Sequence, residues 1–342
     1  MNIDFCNSNA FKIDSVELKE KIFLECDNLF GFSLRRDYFP GPQPVTIERK
    51  DLEKLKTNYM VCEKSDGDRA ILLLISLNNK PMCFMINRKN DFYFLDLSFK
   101  KEVYEGSIFD GELIQTKNGT WNYLIHDCMI YNRVNFTETS HQIRYACGID
   151  LITKRYQNKP GDCVNIKTKL FYNFGSELVK TWEHIQKTTE NKIDGLIFTP
   201  INGPIKFGRD NSLFKWKEDH TIDFFVKLEN KKINLYYYKK VLVLYKTFNS
   251  KNPNYKKIIE FTEPGNLSQG LNNLSQGLII EFKIICETDC FIPYRIRNDK
   301  NKPNGEVTLN NTLKNIAESI KIEEIYCTDI NLLQHQIGVM CI

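Results

Sequence analysis

A lysine in a polar turn between two strand-like runs does most to limit what this chain can fold into. Lys64-Ser65-Asp66-Gly67-Asp68-Arg69 follows an apolar stretch ending at Val61-Cys62 and precedes the run Ala70-Ile71-Leu72-Leu73-Leu74-Ile75. Two strands bracketing a polar turn call for a sheet whose edge sends the lysine into a cleft. Taken alone, the hexad reads equally well as a mixed-charge surface hairpin. The choice falls to the rest of the chain.

The sheet pattern continues downstream. Residues 70–77 and 81–87 pair through Asn78-Asn79-Lys80, a hairpin signal, and 92–95 extends them. Three further strands carry acids: 108–114 with Asp110-Gly111-Glu112, 121–130 with His126-Asp127, and 193–198 with Asp194 at its start. Leu213-Phe214-Lys215-Trp216-Lys217 alternates, which on a strand sends both lysines to one face. Helical patterns cover 15–24 with Ser15 as cap, 51–55 with Thr46 as cap, 137–145 and 177–188.

From Thr221 the pattern changes to short strands at 224–228, 233–238, 241–246 and 278–286, with Lys231-Lys232 and Lys239-Lys240 at turns. Such spacing suits a small barrel of the oligonucleotide-binding type. Asn266-Leu267-Ser268-Gln269-Gly270-Leu271 recurs from Asn273 to Leu278; a single duplication reads as a polar loop insertion. A helix over 309–320, with Thr308 as cap, follows Pro303-Asn304-Gly305.

With 342 residues, two domains are expected: 1–218, completed by a C-terminal helix in 307–342, and 219–306. A 42% hydrophobic and 26% charged composition supplies cores and argues against wholesale disorder. The net charge of +4 permits a polyanionic partner without demanding one. Eleven cysteines without a Cys-x-x-Cys pair speak against zinc and for free thiols in a reducing, intracellular compartment. The N-terminus has no secretory pattern, and no apolar run is long enough to span a membrane.

The charged residues at strand ends form a set: Lys64 with Arg69, Arg88, Glu112, Asp194, Lys215 with Lys217, and Arg297 with Asp299-Lys300. Each alone is unremarkable, since Lys-Trp-Lys also guards edge strands and Arg-rich segments are usually solvated. Together they suit a nucleoside triphosphate and a metal. Attack on an α-phosphate needs a nucleophile, cations around the phosphoryl oxygens and oxygen ligands for Mg²⁺. A lysine nucleophile must be neutral, which costs about 4 kcal/mol near pH 7; neighbouring cations such as Lys215, Lys217 and Arg69 supply it if they converge. Glu112 and Asp194 are then the expected metal ligands.

The set resembles the covalent nucleotidyltransferase superfamily of mRNA capping enzymes and polynucleotide ligases. Its Lys-x-Asp-Gly-x-Arg, Asp-Gly-Glu, Asp-Gly-Leu-Ile, Lys-x-Lys and Arg-x-Asp-Lys motifs all occur here in order. Within it the chain is most similar to the capping guanylyltransferases, in particular the stand-alone type of chlorella viruses. Pro40-Gly41-Pro42-Gln43-Pro44-Val45-Thr46, Thr221-Ile222-Asp223-Phe224 and Leu313-x-Asn315-Ile316 carry that likeness.

The resemblance implies an α+β fold: an ATP-grasp-like nucleotidyltransferase domain of antiparallel sheets with helices, plus a C-terminal OB-fold barrel. It implies that Lys64 attacks GTP, that pyrophosphate leaves, and that GMP passes to a 5′-diphosphate RNA end to give a GpppN cap. By the same likeness Arg69, Glu112 and Arg88 meet the ribose, and Asp194 supports Mg²⁺ or Mn²⁺. Lys215 and Lys217 grip the α-phosphate, while Arg297, Asp299 and Lys300 orient the β,γ-phosphates. His126 stands where the family stacks an aromatic ring on guanine, and is expected to stack there or to serve as a core histidine. RNA triphosphatase and cap methyltransferase activities are expected on other chains. The competing readings are an ATP-dependent ligase and a non-catalytic RNA-binding scaffold.

Overall fold

In the computed structural model, residues 6, 10–36, 39–56, 58–262, 267–298 and 300–326 are described. Asp299 and the part of the expected C-terminal helix beyond 326 lie outside them. The chain divides into two units, one reaching Lys217 and taking in Ile322 onward, the other Glu218–Lys321.

The strands of the first unit are, in chain order, β1 (Phe11–Ile13), β2 (Pro42–Thr46), β3 (Tyr59–Ser65), β4 (Asp68–Leu77), β5 (Lys80–Asn87), β6 (Phe92–Leu95), β7 (Ser107–Gln115), β8 (Trp121–Tyr131), β9 (Val134–Asn135), β10 (Asn165–Thr168), β11 (Tyr172–Asn173), β12 (Ile193–Pro200) and β13 (Gly208–Lys217). Its helices are α1 (Val16–Phe30), α2 (Leu52–Leu55), α3 (His141–Asp150) and α4 (Leu178–Thr188).

Two sheets result, ordered β1-β6-β5-β4-β7-β8-β10, with β9 beside β8, and β11-β3-β12-β13-β2. Pairing is antiparallel except for β10 with β8 and β13 with β2. The turn between β3 and β4 carries the chain from one sheet to the other, so the hexad's lysine and arginine lie on different sheets.

The unbroken apolar run of β4 reflects burial on both faces. Ala70, Leu72 and Leu74 enter one core, with Phe109, Tyr123 and Ile125. Ile71, Leu73 and Ile75 enter a second, covered by Ile22, Phe23 and Cys26 of α1. The α1 start is capped as expected, Ser15 Oγ accepting from the Leu18 N–H at 3.2 Å. The 78–79 hairpin puts both asparagines at positive φ, the geometry that matches strand twist. Two boundaries differ from the sequence reading. Thr46 ends β2, and Glu48 and Asp51 cap the following turn reciprocally. The 137–145 helix starts only at His141, because Thr137 and Thr139 close turns on Asn135 and Phe136.

The second unit pairs β14 (Thr221–Glu229), β15 (Lys232–Lys239), β16 (Val241–Phe248), β17 (Leu278–Ile285) and β18 (Cys290–Ile296) in the order β16-β15-β14-β17-β18, all antiparallel. Its core includes Phe224, Leu235, Phe248, Phe282 and Phe291. Helices α5 (Pro253–Thr262), α6 (Leu267–Gln276) and α7 (Glu306–Glu318) flank the sheet, while α8 (Ile322–Ile325) belongs to the first unit. Residues 267–276 of the duplicated stretch therefore form helix, not a polar loop. Leucines at 267, 271, 274 and 278 recur at helical spacing, and Leu274 is fully buried. α7 likewise departs from expectation: Leu309, Leu313 and Ile316 pack on the second unit's core, so this helix completes the barrel unit and not the first domain. Gly305, not Thr308, precedes its first turn.

Candidate active site

Adjacent strands β3, β12 and β13 bring the lysines together. Ser65 faces Ile193, Leu196 faces Glu63, Gly195 faces Lys217 and Ile197 faces Lys215. The β3–β12 register shifts between Ile193 and Leu196, so β12 bulges at Asp194-Gly195. Gly195 has φ +150°, and a Cβ there would stand 1.9 Å from the Trp216 carbonyl oxygen. Glycine is needed for β12 to bend here. The bend aims Asp194 between two ammonium groups: Lys64 Nζ donates to Oδ1 at 2.6 Å, and Lys217 Nζ lies 2.6 Å from Oδ2. Burial pushes the Asp194 carboxyl up, but the two lysines outweigh it and hold it below the usual carboxylate range.

Among the described residues, the Lys215 ammonium shares this site without a hydrogen-bond or ion-pair partner. Burial first, then the charges of Lys217, Lys64 and Arg88, bring its ammonium down to about 8. Arg88 stands exposed just after β5. Burial and neighbouring cations thus lower the pKa of Lys215.

The β4–β7–β8 face holds the other first-unit candidates. Arg69 and Glu112 are direct cross-strand partners. Arg69 does not approach Lys64 as a free cation. Its Nε donates to Asp110 Oδ1 at 2.9 Å, its Nη2 to Asp110 Oδ2, and its Nη1 to the Pro42 carbonyl. The Phe39 ring lies 5.2 Å from its guanidinium carbon. Asp110 is fully buried, and although burial raises its carboxyl, Arg69 and His126 hold it well below the ordinary range. His126 Nε2 is 3.4 Å from Asp110 Oδ1. The β7–β8 register shifts between Asp110, opposite Asp127, and Gly111, opposite Ile125, leaving His126 without a cross-strand partner on β7 at the bulge. The Glu112 carboxyl has no hydrogen-bond or ion-pair partner among the described residues, and burial raises it despite nearby Lys169, His126, Arg69 and Lys64.

Several participants carry no motif. Lys169 is 5% exposed, donates to the Glu63 carbonyl at 3.1 Å and lies 3.7 Å from the Glu63 carboxylate; only burial reveals it. Asp127, embedded beside His126, is a structural anchor held by Arg144 at 2.7 Å.

In the second unit, Asp223 and Glu281 face each other across β14 and β17, both buried. Arg297 Nη1 donates to Asp223 at 3.1 Å and lies 3.4 Å from Glu281. Lys300 pairs with Asp223, and Arg295 Nε donates to Glu281 at 2.5 Å. Arg297 and Lys300 thus sit on an acidic seat that the sequence reading did not identify.

Among the described residues no group of three His, Cys, Asp or Glu side chains converges as a metal cage. A divalent ion that arrives with a triphosphate needs only one or two carboxylates, the remaining ligands being phosphate oxygens and water. Asp194, a hard oxygen donor with its side chain 32% exposed, fits that requirement.

The family model described as mRNA capping enzyme, catalytic domain, matches residues 9–219, and that described as mRNA capping enzyme, C-terminal domain, matches 219–326. The mRNA-capping enzyme subunit alpha of Saccharomyces cerevisiae is 28% identical, the match covering 84% of this chain and 77% of the relative. The Candida glabrata protein of that name is 29% identical, over 84% and 79%. A mycobacterial DNA ligase D complexed with ATP and MES aligns with TM-score 0.44 and 10% identity, over 78% of this chain and 97% of that one.

Proposed function

Since the chain belongs to the mRNA capping enzyme family and is a guanylyltransferase with a nucleotidyltransferase domain and an OB-fold domain, we propose that Lys64 carries the GMP. The neutral Lys64 amine attacks the α-phosphorus of GTP, forming an N–P bond and releasing one N–H proton to solvent as the α–β bridging P–O bond breaks and pyrophosphate leaves with the electron pair. A β-phosphate oxygen of a 5′-diphosphate RNA end then attacks the same phosphorus. The N–P bond breaks, and the amine recovers its electron pair and a proton.

The convergence of Lys64, Lys217 and Lys215 about Asp194 carries this reading. Asp194 orients the nucleophile, and Lys215 and Lys217 stabilise charge on the α-phosphoryl oxygens. Arg69, fixed by Asp110, and Glu112 meet the ribose, with Arg88 at the rim; His126 stacks on guanine. Arg297, Asp299 and Lys300 orient the β,γ-phosphates. Asp194 would hold the Mg²⁺ or Mn²⁺ ion, with Glu112 its second expected ligand; the ion supplies charge neutralisation on the phosphates. The fungal relatives' name, subunit alpha, speaks for a further subunit in those proteins, and RNA triphosphatase and cap methyltransferase activities are proposed to reside on other chains.

Radiolabelled GTP should mark the protein covalently, and the label should move to 5′-diphosphate RNA. Lys64→Ala should abolish marking, and Lys217→Ala should reduce it by orders of magnitude. A lysine adduct formed only with ATP would transfer the assignment to ligase chemistry, and labelling of Lys64→Ala would place the nucleophile elsewhere.

A further inference from the structure

The stretch of β8 that carries His126 is gripped by a helix. β10 ends at Thr168, opposite Ile125, and the β7 register passes over His126. At that point a side chain supplies a bond: Nε2 of His141, the first residue of α3, lies 3.0 Å from the His126 carbonyl oxygen. A carbonyl only accepts, so Nε2 carries the hydrogen and donates it. Three residues along the same face of α3, Arg144 Nε donates to Asp127 Oδ1 at 2.7 Å. The same Oδ1 accepts from the Cys128 N–H at 2.8 Å. The start of α3 is itself anchored beyond β12. The His141 N–H donates to the Ile201 carbonyl at 2.9 Å, and Arg144 Nη1 to the Gly203 carbonyl at 2.9 Å.

Packing alone does not call for a histidine at position 141. The residue is 1% exposed, its ring stacked on Tyr145 at 6.0 Å between centroids and set edge-on to Phe171 at 4.6 Å. A phenylalanine would fill this aromatic box. The imidazole instead leaves its Nδ1 buried with no partner among the described residues, a cost that an apolar ring avoids. Burial outweighs the Asp127 carboxylate and pushes the ring below the usual histidine range, so near pH 7 it is neutral and has a single N–H. That N–H goes to the His126 carbonyl. The His126 side chain, 23% exposed, lies with Nε2 3.4 Å from Asp110 Oδ1, the oxygen that also accepts from Arg69 Nε. A rotation of the His126 peptide would swing its ring off this contact.

We propose that His141 is a positioning residue for the nucleobase: by holding the His126 carbonyl it sets the plane in which the His126 ring meets guanine. The inference rests on the reading of His126 as the ring that stacks on guanine, and adds what fixes that ring in place. A displaced ring weakens nucleotide binding but leaves Lys64 and the cations around the α-phosphate where they are. The effect therefore falls on the KM for GTP and not on kcat.

The test measures KM and kcat for GMP-adduct formation over a range of GTP concentrations. His141→Phe keeps a ring in the box and removes the donor. It should raise the KM for GTP about three- to tenfold and leave kcat within about twofold. His141→Gln, whose side-chain amide again offers an N–H, should restore the KM to within about twofold of the wild-type value. His141→Leu, which also lacks a donor, serves the comparison should the phenylalanine ring not fit. In a His126→Ala background, His141→Phe should add nothing further, because the ring it positions is gone. An unchanged KM in His126→Ala would overturn the stacking reading, and the proposal with it. A raised KM in His126→Ala beside an unchanged one in His141→Phe would overturn the positioning role alone. So would an equal rise for His141→Phe in both backgrounds, or a fall in kcat shared by the phenylalanine and glutamine variants.

Discussion

Lys215 shows what a site costs at the scale of one residue. It holds a positive charge inside the fold with no carboxylate of its own, and burial plus three nearby cations lower its pKa to about 8. Below that pH the folded protein carries the charge at a penalty. Between about 8 and the ordinary 10.5 the unfolded chain binds more protons than the folded one, so this contribution to stability improves as pH rises. Lys215→Met should therefore raise the unfolding free energy at pH 7 by about 1–3 kcal/mol. The gain should fade as pH climbs through 8 toward 10.5, while GMP-adduct formation drops by orders of magnitude. Urea melts at several pH values beside GTP labelling check both halves; a destabilised variant would mean that the lysine is part of the packing. The sequence singles out Lys64, Lys215 and Lys217 as candidates, because the proposed chemistry fixes their type and spacing. It does not show Asp110, Glu281 or Lys169 as partners, because their roles depend on burial and on contacts between distant strands.

At the scale of an element, β12 carries the site by being irregular. A straight strand would turn Asp194 with the pleat; the bulge lets it meet lysines from the strands on either side. Periodicity located β12, β4 and β7 well, since residues alternating between two cores leave a readable pattern. It could not show the bulge, which depends on the space beside Trp216. The duplicated hexapeptide departs from its loop-like composition for a related reason: Ser, Asn, Gln and Gly suggest a loop, yet the leucine spacing and one buried Leu274 make a helix. Gly195→Ala should destabilise the first unit by about 2–4 kcal/mol and lower adduct formation, because it adds both strain at positive φ and a carbonyl clash. Gly203 provides the control. It has the same φ of +150°, but nothing lies within 4 Å of an added Cβ. Gly203→Ala should then cost only the strain, about 1 kcal/mol, with labelling intact. Equal losses in the two variants, measured by urea unfolding, would remove the clash from the account.

At the scale of the whole molecule, the proposed mechanism assigns the cations of the two units to different steps. In it Lys64, Lys215 and Lys217 serve the α-phosphate, which takes part in both steps. Arg297 and Lys300 are proposed to serve the β,γ-phosphates, which leave before RNA attacks. Their seat is a pair of buried carboxylates facing each other, an arrangement that repels unless cations fill it. Arg297 touches both acids, so the acids fix its position while they lower the net charge of the cluster around it. Glu281→Gln keeps the shape but frees Arg297 and Arg295 on one side. It should slow adduct formation about tenfold, chiefly through the KM for GTP, and leave transfer from a preformed adduct within about twofold. Arg297→Ala should show the same split more strongly. Single-turnover measurements of the two steps, with a thermal melt of each variant, separate the outcomes. A loss shared equally by both steps and accompanied by a lower Tm would make Glu281 a structural acid of the barrel. A split for Arg297→Ala without one for Glu281→Gln would keep the triphosphate role and remove the seat from it.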